Sequence, residues 1–264
     1  MDNLMQASVD RVTERIAGIM DGHVHSAWLY GSVVLDDFRP GWSDIDLLVL
    51  TSAEITESRA GELLTLRQTL CGEEPGNPYY RSFEGIIAEI NEYRTGEYSR
   101  LVYWGTSGQR VADSFAPDAF SRFELAKYGR SVCGRSVCGE ADRSIFPLPG
   151  REEMTAAVRS HYEAIRRYAV RTNESLYSCG WLFDIARCVY TLRYSDVIAK
   201  AEAGLWALGE GLFPDDEPLR RAVEIRLHPL RYRDREDVRQ WLKGLGPVVQ
   251  RYADVLEKEL EIVR

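Results

Sequence analysis

The chain has 264 residues with 33 Lys+Arg against 41 Asp+Glu, a formal net charge of -8, and it is 45% hydrophobic, which suits one or two globular domains. The acidic balance argues against nucleic-acid binding and favours a cationic small-molecule partner. Because no apolar run reaches about 18 residues and the N-terminus lacks a signal-peptide core, we expect a cytoplasmic protein with no membrane association.

The first part of the chain alternates between helical and strand patterns. Val9–Met20 and Glu57–Leu70 carry apolar residues at helical spacing, so both are predicted helices. Apolar runs predict strands at Ala27–Tyr30, Ile45–Leu50 and Phe83–Ile90. This alternation indicates an α/β or α+β sheet domain over about the first 100 residues.

After Ala116 the pattern becomes helical. A helix is predicted for Pro117–Val132, and Pro147 and Pro149 mark a loop after it. We therefore expect a sheet domain at residues 1–149 and a helical domain at residues 150–264. The predicted helices of the second domain cover residues 151–171, 176–193, 195–208, 217–227 and 234–263.

The five cysteines are odd in number and scattered, which predicts reduced thiols and no disulfide framework. Two of them, Cys133 and Cys138, end a tandem GRSVC at residues 129–138. Two copies of five residues are too short for a solenoid repeat, and no further Cys/His pair lies nearby in sequence to complete a zinc site. A structural or incidental role is therefore favoured over a metal site.

The segment that indicates chemistry is Gly31-Ser32, followed after eleven residues by Asp44-Ile45-Asp46. Residues i and i+2 of a strand project from the same face, so the two aspartates point together. Adjacent carboxylates repel unless a cation bridges them, and oxygen ligands suit Mg²⁺. Gly31 permits close approach of a phosphate, and Ser32 offers a hydroxyl and a backbone N–H. The alternative is a capping Asp44 and an exposed Asp46.

A third carboxylate is expected, because two-metal transfer needs a further metal ligand or a base for the acceptor hydroxyl. The strand at residues 83–90 supplies Glu84 and Glu89, which lie on opposite faces, so only one can join the aspartates. Glu84 stands at the beginning of the strand and is the candidate for catalysis and as a metal ligand. The alternative is that either glutamate solvates a sheet edge.

These residues resemble the Gly-Ser and D-x-D signature of the nucleotidyltransferase superfamily. Over roughly residues 28–226 the chain is more closely similar to the aminoglycoside (3'')(9)-adenylyltransferase family: WLYGS, SDIDLLVL, RSFEGIIAEI and FDIARCVYTL match its motifs. The resemblance implies an α+β fold, with an N-terminal polymerase-beta-like mixed sheet and a C-terminal α-helical bundle that together bind ATP and drug. It places the catalytic base at Glu84 and ATP contacts at Arg187 and Lys200. Otherwise Arg187 is a helix-surface charge and Lys200 pairs with Asp196.

The resemblance also bears on the acceptor. Family members that accept streptomycin use a tryptophan, which falls on Trp104, and an aspartate, whose position falls near Tyr177. Without that aspartate, spectinomycin is favoured over streptomycin. A buried tryptophan is also a common core residue, so both roles of Trp104 stay open.

The sequence thus predicts a cytoplasmic ATP-dependent adenylyltransferase, a monomer or weak oligomer, that uses two Mg²⁺ ions and modifies an aminoglycoside or aminocyclitol. Asp44, Asp46 and Glu84 are the predicted catalytic and metal-binding residues. The alternatives are the same chemistry on another acceptor, or a non-catalytic nucleotide-binding protein.

Overall fold

The structure is a computed structural model that describes residues 1–105, 108–132 and 142–263. It divides into two compact units, the first formed by Met1–Phe38 with Asp44–Leu148 and the second by Arg39–Ser43 with Pro149–Arg264. The sequence predicted a single division between residues 149 and 150, and it did not predict that the short segment Arg39–Ser43 belongs to the second unit. Most of the GRSVC tandem lies outside the described residues.

A mixed sheet forms the centre of the first unit. Its strands are β1 (Val24–Tyr30), β2 (Ile45–Thr51), β3 (Phe83–Glu89), β4 (Leu101–Gly105), β5 (Gly108–Ala112) and β6 (Arg130–Ser131). Across the described residues these six strands follow the order β5-β4-β3-β2-β1-β6. Strands β2 and β3 are parallel, and the other neighbouring pairs are antiparallel. The sheet prediction is confirmed in its mixed α+β form.

Both faces of β2 are buried, which explains its continuous apolar run. Leu47 and Val49 join an apolar cluster with residues of the first two helices, whereas Leu48 and Leu50 join the cluster on the opposite face. The helices of this unit are α1 (Asn3–Ile19), α2 (Glu57–Glu73), α3 (Ile90–Thr95) and α4 (Ala119–Lys127).

Two features of the first unit differ from the prediction. Strands β4 and β5 were not predicted: β5 is largely exposed and lacks the apolar pattern of a buried strand, whereas β4 is an apolar segment buried at four of its five positions, so its signal was present and was missed. The helix predicted for Pro117–Val132 is shorter: it ends at Lys127, two residues before Gly129, where an added Cβ would lie 2.4 Å from the Leu125 carbonyl oxygen. The chain then extends into β6, which pairs with β1.

The second unit is helical, as predicted. Its helices are α5 (Arg151–Tyr168), α6 (Tyr177–Tyr194), α7 (Lys200–Gly209), α8 (Glu217–Leu227), α9 (Pro229–Tyr232), α10 (Glu236–Lys243) and α11 (Gly246–Ile262). The long helix predicted for residues 234–263 is two helices, because the chain turns at Gly244–Leu245 and Pro247 lies in the first turn of α11. None of the described helices combines the length and apolar character that crossing a membrane requires.

Candidate active site

The predicted site residues of the first unit meet at one edge of the sheet. Strand β1 ends there at Tyr30, and β2 and β3 begin there. The register pairs Tyr30 with Asp46 and Asp46 with Glu84. Side chains of directly paired residues project from the same face, so Asp46 and Glu84 stand side by side on neighbouring strands. Residues 38 positions apart in sequence are thereby brought together.

The Gly31-Ser32 turn lies directly against the aspartates. Gly31 has a φ of +66°, and a Cβ built on it would lie 2.0 Å from Asp46 Oδ2. The Ser32 hydroxyl donates a hydrogen bond of 3.3 Å to the backbone carbonyl of Asp44. Both aspartates are half-buried. Glycine is therefore needed at position 31 for its backbone conformation and for the space that the Asp46 carboxylate occupies.

Glu84 and Glu89 have different roles, as their positions on opposite faces predicted. The Glu89 carboxylate accepts hydrogen bonds from the backbone N–H groups of Asn91 and Glu92 and caps α3. Glu84 is half-buried beside Asp46 and accepts a hydrogen bond of 3.0 Å from the Tyr103 hydroxyl. Only Glu84 of the two lies at the edge that carries the aspartates.

Sequence reasoning missed a cation at this edge. Arg67 of α2 donates hydrogen bonds to the backbone carbonyls of Phe83, at 2.6 Å, and Gly105, at 3.1 Å. Burial lowers the pKa of Arg67, and the nearby charges, including Glu84 and Asp44, oppose that shift. No local pattern on α2 marks Arg67, since the two carbonyls that it joins are distant in sequence.

Tyr30 was also missed, although it immediately precedes Gly31 in the motif. Its phenol lies on the face of β1 that Asp46 shares. Burial raises the pKa of Tyr30 well above its ordinary value, and the negative charges of Asp46 and Glu124 raise it further. Tyr30 therefore stays a neutral hydroxyl beside the carboxylates.

Trp104 lies on the opposite face of the sheet. Its side chain is 3% exposed within the apolar cluster of α1 and α2, and its indole N–H donates a hydrogen bond of 3.1 Å to the Leu63 carbonyl. Consecutive residues of a strand face opposite ways, so Tyr103 faces Glu84 and Trp104 faces the core. Trp104 thus packs in the core, and this placement does not favour the predicted contact of Trp104 with an acceptor.

Arg187 and Lys200 belong to the second unit. Lys200 Nζ lies 2.9 Å from Asp184 Oδ1, an ion pair between α7 and α6. Burial raises the pKa of Asp184, but the positive charges of Lys200 and Arg187 outweigh burial and hold that pKa below its ordinary value. The charges of these three residues are coupled within the unit, and the predicted contacts of Arg187 and Lys200 with ATP stay predictions.

The carboxylates at the sheet edge have the donor chemistry that Mg²⁺ prefers, since all of their ligand atoms are oxygens. Within the described ranges, however, no group of three or more His, Cys, Asp or Glu side chains is arranged to hold a metal ion. Asp44 and Asp46 therefore fit a magnesium ion by their chemistry, and the role of Glu84 as a further ligand stays a prediction.

Comparison with known proteins relates the part of the chain that carries this edge to a known type of domain. Residues 14–92 match the model of a nucleotidyltransferase domain, a span that contains the Gly-Ser turn, both aspartates and Glu84. No curated protein matches the sequence. The structure is similar to that of a spectinomycin adenyltransferase, AAD(9) from Enterococcus faecialis, which was crystallised with ATP and spectinomycin. The two chains are 13% identical, with a TM-score of 0.62 over 94% of this chain and 97% of the other. At this identity the similarity shows a shared fold.

Proposed function

Because the chain carries a nucleotidyltransferase domain, we propose that this nucleotidyltransferase uses ATP and Mg²⁺ to transfer AMP to a hydroxyl of an aminoglycoside or aminocyclitol antibiotic. Such a reaction would confer resistance to the drug. The observation that carries the proposal is the pairing of Asp46 with Glu84 on parallel strands, next to the Gly31-Ser32 turn.

Each residue that the sequence predicted at this edge has a role in the proposed reaction. Asp44 and Asp46 would hold a magnesium ion, which would supply positive charge to neutralise the phosphate oxygens. Gly31 and Ser32 lie against the triphosphate through their backbone. Glu84 accepts the proton of the acceptor hydroxyl, whose oxygen forms a bond to the α-phosphorus as the bond to pyrophosphate breaks. The products are the adenylylated acceptor and pyrophosphate.

The charge of the site supports a cationic acceptor. Three carboxylates lie at this edge of the sheet, and the whole chain has a net charge of -8. Opposite charges steer a polycationic drug toward such a site and contribute to its affinity. The fold shared with a spectinomycin adenyltransferase supports the same class of acceptor.

Spectinomycin is proposed as the better substrate. The family resemblance associates streptomycin with a cleft tryptophan and an aspartate. Here Trp104 is buried in the core, and Tyr177 stands where the aspartate is expected. Both departures weaken the proposal for streptomycin and leave that for spectinomycin intact.

The test is pyrophosphate release from ATP and Mg²⁺ with spectinomycin, with streptomycin, or with no acceptor. We expect release with spectinomycin that stops when EDTA removes the metal. Asp46→Asn and Glu84→Gln should abolish transfer, with ATP binding largely retained in the second. Glu89→Gln is the matched control, because it changes a glutamate of the same strand that caps α3. Substantial turnover by Glu84→Gln would exclude Glu84 as the base.

The same assay examines the alternatives and the second unit. Slow, acceptor-independent release that another hydroxyl compound accelerates would favour a different acceptor, and ATP binding without release would favour a nucleotide sensor. Lys200→Met should raise the KM for ATP if Lys200 contacts the nucleotide. Asp184→Asn is its control, because it breaks the same ion pair and retains the ammonium group.

A further inference from the structure

The Glu84 carboxylate has a specific partner on the neighbouring strand. The Tyr103 hydroxyl donates a hydrogen bond of 3.0 Å to Glu84 Oε1. In the β3–β4 register Tyr103 is paired with Ile86, which lies two residues along the strand from Glu84 on the same face. The phenol therefore reaches Glu84 diagonally, and its length matches the separation of diagonal neighbours in an antiparallel pair.

The sequence around Tyr103 provides space for this reach. An added Cβ on Gly105 would lie 2.5 Å from Tyr103 Cε1 and 2.9 Å from its hydroxyl oxygen. The ring thus lies across Gly105, and any side chain at that position would displace it. Glycine at the end of β4 is required here by contact with the ring, as its backbone φ lies outside the left-handed region.

The ring is also held from its other sides. The Arg110 guanidinium of β5 stacks 4.2 Å from the ring centroid, and the Phe115 ring lies 6.4 Å from it. Tyr103 is half-buried, whereas Arg110 is exposed. The guanidinium over one face of the ring and the tilted Phe115 ring beside it leave the phenol few alternative rotamers, so its hydroxyl is presented to Glu84 in one direction.

We infer that Tyr103 is a positioning residue that fixes the direction of the Glu84 carboxylate. A glutamate side chain has three rotatable bonds, and one hydrogen bond to Oε1 leaves Oε2 as the oxygen available to a substrate hydroxyl. The consequence for catalysis rests on the proposed function: proton transfer requires that oxygen to lie within hydrogen-bond distance of the acceptor. A purely space-filling ring would leave the carboxylate equally effective without the phenol hydroxyl.

The test compares Tyr103→Phe with Tyr79→Phe. Tyr103→Phe removes only the hydroxyl and retains the ring that contacts Arg110. Tyr79→Phe is the control, because it removes a hydroxyl of the same unit that donates a hydrogen bond to the Asp2 carboxylate. We expect kcat to fall about tenfold in Tyr103→Phe, the factor that about 1.4 kcal/mol represents, with the KM for ATP and the unfolding temperature unchanged.

A second variant and a spectrum make the result independent of turnover. Gly105→Ala, which displaces the ring but retains the hydroxyl, should lower kcat similarly, and the double variant with Tyr103→Phe should be no worse. The infrared carboxylate band that disappears in Glu84→Gln should shift in Tyr103→Phe and not in Tyr79→Phe. An unshifted band, or equal kcat in both phenylalanine variants, would overturn the inference. A shifted band in a protein that adenylylates no acceptor would reject the proposed function alone.

Discussion

Gly31→Ala is the substitution whose effect the structure defines most directly. Gly31 adopts a φ of +66°, where a side chain costs about 1–2 kcal/mol. Its added Cβ would lie 2.0 Å from Asp46 Oδ2, whereas ordinary contact begins near 3.4 Å. The Asp46 carboxylate must therefore move by about 1.4 Å, the difference of these two distances. The variant should fold but misplace one of the two aspartates.

The expected result is a loss of stability of about 1–2 kcal/mol together with a fall in kcat of about 100-fold, since a displacement of about 1 Å at a reacting centre costs a factor of that size. The free energy of unfolding is measured by denaturant titration and kcat by pyrophosphate release with spectinomycin. The kcat is measured at a temperature where the variant is fully folded, so that a lower free energy of unfolding does not by itself lower kcat.

Gly96→Ala is the matched control. Gly96 ends α3 with a φ of +76°, and an added Cβ there meets no atom within 4 Å. It therefore has the same backbone cost without the collision. We expect Gly96→Ala to lose similar stability and to keep its kcat. If Gly31→Ala retained a kcat within about threefold of Gly96→Ala, the reasoning that places Asp46 at the reacting centre would be refuted.

Three further predictions follow from single contacts. Trp104→Phe should cost about 1–2 kcal/mol of unfolding free energy through lost packing and leave the KM for spectinomycin unchanged; a raised KM at unchanged stability would contradict the core placement. Arg67→Lys should lower kcat and stability, because one ammonium group does not reproduce two bonds to carbonyls on different strands; an unaltered kcat would exclude a role near Glu84. Asp184→Asn should cost about 1 kcal/mol at pH 7. Burial raises the pKa of Asp184, but the charges of Lys200 and Arg187 together outweigh burial and hold that pKa below its ordinary value. The stabilisation is therefore present above about pH 4 and is lost as the pH falls through the lowered pKa, and unfolding titrations at several pH values would show this loss.

Much of the first unit was readable in the sequence. The continuous apolar run at Ile45–Leu50 predicted a strand with two buried faces, and β2 has apolar clusters on both sides. The five-residue spacing of Glu84 and Glu89 was enough to assign them to opposite faces of β3. Such inferences succeed because the strand period is local and depends on nothing outside the segment.

Other features depended on partners distant in sequence. Strand β5 is short and largely exposed, so it is defined by its pairing with β4 and not by an apolar pattern of its own. Lys200 pairs with Asp184 across two helices, a contact that helical spacing along one helix does not predict. The segment Arg39–Ser43 belongs to the second unit because Trp42 packs its ring against Phe183.

The sequence by itself determined which residue types are the candidates for the chemistry: a glycine and a serine before two aspartates, and a glutamate at the start of the next predicted strand. Only the tertiary structure decided their geometry. The β2–β3 register places Asp46 beside Glu84, and the alternation of β4 turns Tyr103 toward Glu84 and Trp104 into the core. Residue types and the two-residue period of a strand can be read from a single segment of sequence. The register depends on pairing between strands, which no single segment specifies.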